Sequence, residues 1–278
     1  MLKFGIGIKN QKLRKLENKI NRKIYSFSLP AGKTCPFAVQ CKSQVIKTPE
    51  GLRIKDGPKC QFRCYAASME TLYTKIYYRN KYNLAELRKC KTVGGMERLI
   101  EQSIPNDCEV IRLHVAGDFF NEKYFVAWRN IAKKHPNMVI YGYTKAINYL
   151  LKYPKLPNFR LTASYGGKLD YLILTNHKLK SCTVVMNEEE AKRRSLPIDK
   201  DDTSCYNDDN KSFAIIIHGT QPAKNKKRKV ELVAFSTHMT NCVSFAVSNN
   251  TYPRSLHPGK QGQKNKEKTA EKLKNVQS

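Results

Sequence analysis

Negative charge is scarce in this chain. It carries 23 Asp and Glu against 51 Lys and Arg over 278 residues, a net charge of +28. A balance of that sign points to a polyanionic partner, most often nucleic acid. No apolar run is long enough to span a membrane. The first twenty residues, MLKFGIGIKNQKLRKLENKI, lack the apolar core and small-residue cleavage site of a secretory signal. These absences lead us to expect a cytoplasmic protein with no membrane contact. The chain also has no phosphate-cradling Walker loop, no G-x-G-x-x-G, no H-E-x-x-H and no recognisable Ser/His/Asp set.

The basic residues that are present cluster. Residues 1–23 hold eight Lys and Arg against one Glu, 221–231 hold five against one, and 252–278 hold seven against two. The stretches 1–23, 224–229 and 254–274 are therefore the expected nucleic-acid contacts. Acidic residues concentrate at 188–209, which reads as an acidic loop after SCTVVM.

Nine cysteines are present. In a reducing compartment they read as thiols and metal ligands rather than disulfides. Four of them, Cys35, Cys41, Cys60 and Cys64, form two short pairs, TCPFAVQC and CQFRC. Thiolates at such spacing suit zinc or an iron–sulfur cluster. Four would close a tetrahedral zinc site or saturate a [4Fe–4S] cluster. Three would leave one iron open. The remaining five have no close cysteine neighbour, except that Cys182 and Cys205 flank the NEEE and DKDD runs of the acidic loop.

Periodicity organises the rest. Residues 10–23 read as a basic amphipathic helix with Leu13, Leu16 and Ile20 on one face. A strand follows from 24, then a cysteine-bearing loop (31–64) with a hairpin turning at Asp56-Gly57, then one Tyr-rich helix from 65 to 90. Beyond it strands and helices alternate: CEVIRLHVAGDFF, NEKYFVAWRNIAKKHP, NMVIYGYTKA, INYLLKYP, NFRLTASYGG, SCTVVM and KSFAIIIHG. That alternation predicts an α/β fold with parallel strands, an open βα barrel rather than a sandwich. Ligand groups stand just past the strand ends, where such folds bind ligands. These are Gly117 and Asp118, Thr144 and Lys145, Ser164, and His218. Each group also fits ordinary turn chemistry. The interleaved Tyr and Lys/Arg of 65–82 could stack bases or simply pack. The domains read as a basic N-terminal helix (1–24), a metal-binding α/β domain (25–220), a further strand segment (221–252, with a strand at 230–237) and a basic disordered tail (253–278).

The CQFRCYAAS segment resembles the C-x3-C-x-aromatic-C motif of radical S-adenosylmethionine (SAM) enzymes, with Ala67 where the third cysteine would stand. SLPAGKTCP, Cys41, CxxxCYA, HVAGDFF, Trp128, YGYTK, Cys205-Tyr206 and IIIHG together are similar to the "gene product 88" family of bacteriophages and mobile elements, over residues 25–219. The resemblance implies a phage-type iron–sulfur protein distantly similar to radical SAM enzymes. It would have a [4Fe–4S] cluster on Cys60, Cys64 and one or both of Cys35 and Cys41. SAM would lie near Gly117, Asp118, Thr144 and Ser164, with Asp118, Lys145 and His218 as catalytic candidates and a nucleic acid or nucleotide as substrate. The alternative is a non-enzymatic nucleic-acid-binding protein stapled by zinc or a cluster.

Overall fold

A computed structural model of the chain describes residues 1–222. The expected strand at 230–237, the tail at 253–278, the basic stretches 224–229 and 254–274, and Cys242 lie outside the described residues.

The chain begins with strand β1 (Gly5–Ile6), helix α1 (Gln11–Ile20) and strand β2 (Ile24–Phe27). A hairpin of β3 (Ser43–Thr48) and β4 (Gly51–Asp56) precedes helices α2 (Tyr65–Leu72), α3 (Thr74–Lys89) and α4 (Val93–Glu101). Alternation then sets in: β5 (Val110–Leu113), α5 (Glu122–Lys134), β6 (Val139–Thr144), α6 (Ile147–Lys152), β7 (Phe159–Ser164), α7 (Asp170–Leu174) and β8 (Ser181–Val185). Helices α8 (Glu188–Arg193) and α9 (Thr203–Tyr206) lead to β9 (Phe213–Ile216).

Seven strands form one sheet in the order β1-β2-β5-β6-β7-β8-β9. Every pairing from β2 to β9 is parallel, and only β1 runs antiparallel, on β2. Chain order equals spatial order, so the sheet has no reversal of winding of the doubly wound kind. β1 and β9 are its two edges. The α/β class and the parallel strands agree with the sequence pattern.

Alternate residues of each strand face two different cores, as the pleat requires. Phe27, Ile111, Leu113 and Ile140 pack with Leu87 of α3, Ile100 of α4 and Trp128 of α5. Ile24, Val110, Val139, Tyr141 and Phe213 pack with Leu13 and Leu16 of α1 and Cys205 of α9. Helix α1 is therefore a covering element of the sheet. Its start is fixed by Asn10, whose side chain accepts from the Lys12 and Leu13 amides.

Three local expectations are corrected. The hairpin turns at Pro49-Glu50, because Pro suits the second turn position and Gly51 takes φ +114°. Asp56-Gly57 instead ends β4, where the Gly57 amide donates to Lys42 O. The single helix of 65–90 breaks at Tyr73, whose backbone is extended, into α2 and α3. The acidic segment 188–209 contains two short helices, one capped by Asn187.

Candidate functional site

The strand ends β5, β6 and β7 and the cysteine loop surround a cavity of about 240 Å³. Gly117, Asp118, Thr144, Lys145, Ser164 and His218 all line it, together with Cys35, Cys41 and Cys64. Residues spread over nearly two hundred positions thus meet at one sheet edge. Cys60 is not among the lining residues. Its Sγ lies 3.0 Å from Phe62 O and 3.5 Å from Ser43 Oγ.

The loop is held in place by bonds at both ends. At its start, Glu70 of α2 accepts the Ala31 amide at 3.1 Å and the Asn80 side chain at 2.8 Å. Glu70 is 1% exposed, and burial raises its carboxyl pKa to about 7. At its end, Arg63 grips Asp56 of β4 through two nitrogens, at 3.3 and 2.7 Å. The far edge of the sheet reaches over as well. The Gln221 amide exchanges two bonds with the Arg63 backbone, at 2.8 and 3.0 Å, and the His218 ring lies 4.3 Å from that of Tyr65. His218 itself is exposed at the rim.

Asp118 is the most constrained carboxylate of the site. It is 5% exposed. One oxygen accepts from the Phe119 amide at 2.8 Å and Thr144 Oγ1 at 2.7 Å, and the other from the Lys145 amide at 2.8 Å. Burial raises its pKa against those donors. Gly117, at φ +86°, makes the turn possible: a Cβ there would stand 2.5 Å from Thr34 Oγ1. The Lys145 ammonium donates to Ser164 Oγ at 2.7 Å and to the Ser164 and Tyr165 carbonyls.

Burial dominates the electrostatics of the Cys35, Cys60 and Cys64 thiols. Burial, then the charges of Asp118, Cys64 and Cys41, hold the Cys35 thiol well above its ordinary range. Burial and Cys41 push Cys64 up to about 12. Burial also raises Cys60, with smaller contributions from Asp56 and Cys41. Among the described residues no three His, Cys, Asp or Glu are grouped as one metal ion requires.

A family model described as gene product 88 matches residues 2–234. The chain belongs to the gene product 88 family. The match is wider than the 25–219 stretch that carries the sequence resemblance, and it takes in α1. No curated protein and no solved structure matches the chain.

The HVAGDFF stretch (114–120) gains a further feature from the structure. His114 has φ +58°, and its Nε2 lies 3.0 Å from the Tyr124 hydroxyl. Burial, then Arg112, lowers its pKa to about 3, so it is a neutral core imidazole. Sequence reasoning missed the buried Arg112–Asp202 pair at 2.9 Å, which also borders the cavity. It missed the Gln221 tether too. Neither carries a local signal, since each joins residues 90 or more positions apart. Cys182 borders the cavity, whereas Cys205 is buried near Thr162. A second crevice, of about 130 Å³, opens at the opposite strand ends. Its charges are largely spent on internal pairs such as Lys155–Asp208 and Lys180–Asp209. Among the described residues no helix is long and apolar enough to cross a membrane.

Proposed function

We propose that the cavity is an iron–sulfur site open on one side, in a radical-SAM-like enzyme that acts on a nucleic acid or nucleotide. The observation that carries this reading is the meeting of Cys35, Cys41 and Cys64 with Asp118, Thr144, Lys145 and Ser164 around one cavity. The donor set fits the group. Burial, with charge from neighbouring groups, holds the Cys35 and Cys64 thiols above their ordinary range, so they need a cation to ionise, and soft iron would provide it. A single zinc ion would draw its sulfurs to roughly 4 Å of one another, given Zn–S bonds of about 2.3 Å; a multi-iron cluster lets them stand apart. The sequential order of the six parallel strands is also the order of an open βα barrel, whose ligand edge is the one used here.

Cys35, Cys41 and Cys64 would hold the cluster, and Cys60 would stand outside that set. When bound, a cluster with one free iron supplies the electron that cleaves SAM. The chain's own residues orient and enclose. Asp118, locked by three donors, keeps an acceptor oxygen fixed at the cavity for an ammonium or hydroxyl group of the ligand. Lys145 ties the ends of β6 and β7 together through Ser164. The Gln221 tether fixes the Arg63 backbone beside the cavity lining. The net charge of +28 supports a polyanionic substrate.

Anaerobic reconstitution tests this. The reading expects about four iron and four sulfide per chain. A chain that takes up no iron under those conditions overturns it. The zinc-stapled binding protein is the second reading, resting on the four cysteines that share one loop; it expects zinc on four sulfurs.

A further inference from the structure

The break at Tyr73 does more than divide one helix into two. It exposes Leu72 at 65% and Tyr73 at 54%, and Tyr78 five residues on is 52% exposed. Three large side chains within seven consecutive positions thus offer apolar and aromatic surface to solvent at the elbow. Around them the charge has one sign. No Asp or Glu occurs between residues 71 and 85, while Lys75, Arg79 and Lys81 do. Lys75, Tyr78, Lys81 and Arg88 recur at three- and seven-residue intervals, so they share the solvent face of the sixteen-residue helix α3. On that face Lys89 pairs with Glu86, and Lys75, Lys81 and Arg88 make no ion pair among the described residues. The buried side of the same helix is committed to the core through Leu84 and Leu87.

We infer that this elbow binds single-stranded nucleic acid. Tyr73 and Tyr78 supply the faces on which bases stack, and Lys75, Lys81 and Arg88 hold the phosphates. The chemistry favours a single strand. Its bases are free to stack on exposed rings, and a helix face whose Glu86 is already paired to Lys89 and whose other charges are basic suits a phosphate backbone better than another protein's mixed surface. The position is also suitable. Helix α2 runs from Tyr65, at the cavity rim, to Leu72, at the elbow. Eight residues at about 1.5 Å each put the elbow about 12 Å from the rim. A strand lying on the elbow would deliver a neighbouring nucleotide to the cavity. This inference rests on the nucleic-acid part of the proposed function.

Fluorescence anisotropy with the full chain and a labelled oligothymidylate of about 20 nucleotides tests it. The doubly substituted Tyr73→Ala/Tyr78→Ala chain is expected to bind at least tenfold more weakly, the loss of about one base stack. Lys75→Glu/Lys81→Glu should weaken binding similarly and flatten its salt dependence. Tyr73→Phe/Tyr78→Phe keeps the rings and should bind like the parent. Thermal melting checks that each variant is folded. If the parent binds and the alanine and glutamate variants bind equally well, the elbow assignment fails and the nucleic-acid reading stands. If the parent does not bind, both fail. If the alanine variant instead dissociates a dimer in sedimentation while binding oligonucleotide unchanged, the elbow is a protein interface and the inference is overturned.

Discussion

At the scale of single residues, the three cavity cysteines and Cys60 are chemically alike but differently placed. Cys35→Ser, Cys41→Ser and Cys64→Ser should each remove most of the iron bound after reconstitution, and Cys60→Ser should retain it; iron analysis and visible absorbance read the difference. Glu70 makes a second prediction. Its folded pKa of about 7 lies above the ordinary 4.5. Between those values the folded chain holds a proton that the unfolded chain has lost. Its contribution to stability is therefore full below about pH 4.5, falls as pH rises, and is gone above pH 7, a change of at most about 3 kcal/mol. Urea unfolding at pH 5 and pH 8 should show that loss in the parent and not in Glu70→Gln, which keeps an oxygen for the Ala31 amide. That Cys35, Cys41, Cys64 and Asp118 stand at one sheet edge was legible in the sequence, because the cysteine pairs and the strand-end Asp are local patterns. That Cys60 does not line the cavity was not, because its place depends on where the chain turns around Ser43.

At the scale of elements, periodicity was informative wherever a helix or strand had one buried face. Leu13 and Leu16 marked α1, and the alternation after residue 108 marked β5 to β9. Short pieces set by tertiary contacts were illegible. Helix α9 exists because Cys205 and Tyr206 pack against Thr162 and Tyr141, far away in sequence. The Tyr73 break likewise has no Pro or Gly to announce it. The packing of α1 can be tested. Leu16 is fully buried against the sheet, and Leu16→Ala should cost about 2–5 kcal/mol in denaturant unfolding. The same element scale applies to the buried ion pair between β5 and the segment before α9. Asp202→Ala leaves Arg112 charged and unpaired, and should cost about 3–5 kcal/mol.

At the scale of the whole molecule, the parallel sheet brings every strand-end group to one edge, and this is why residues singled out one by one in the sequence share a cavity. Order along the chain was enough to anticipate the edge. It could not show which loop reaches across from β9, since Gln221 meets Arg63 only in the folded chain. The charge of +28 belongs to this scale too. Replacing Lys224, Lys226, Lys227, Arg228 and Lys229 by Ser should reduce the salt slope of single-strand binding by up to about 3.5, if each neutralises one phosphate. The central claim is an iron–sulfur site with one side open. Electron paramagnetic resonance of the reconstituted, reduced chain, with and without SAM, tests it most directly. The account predicts a cluster signal that shifts when SAM is added, in the parent and in Cys60→Ser alike. A cluster signal indifferent to SAM, or one zinc per chain on four sulfurs and no signal at all, would contradict it.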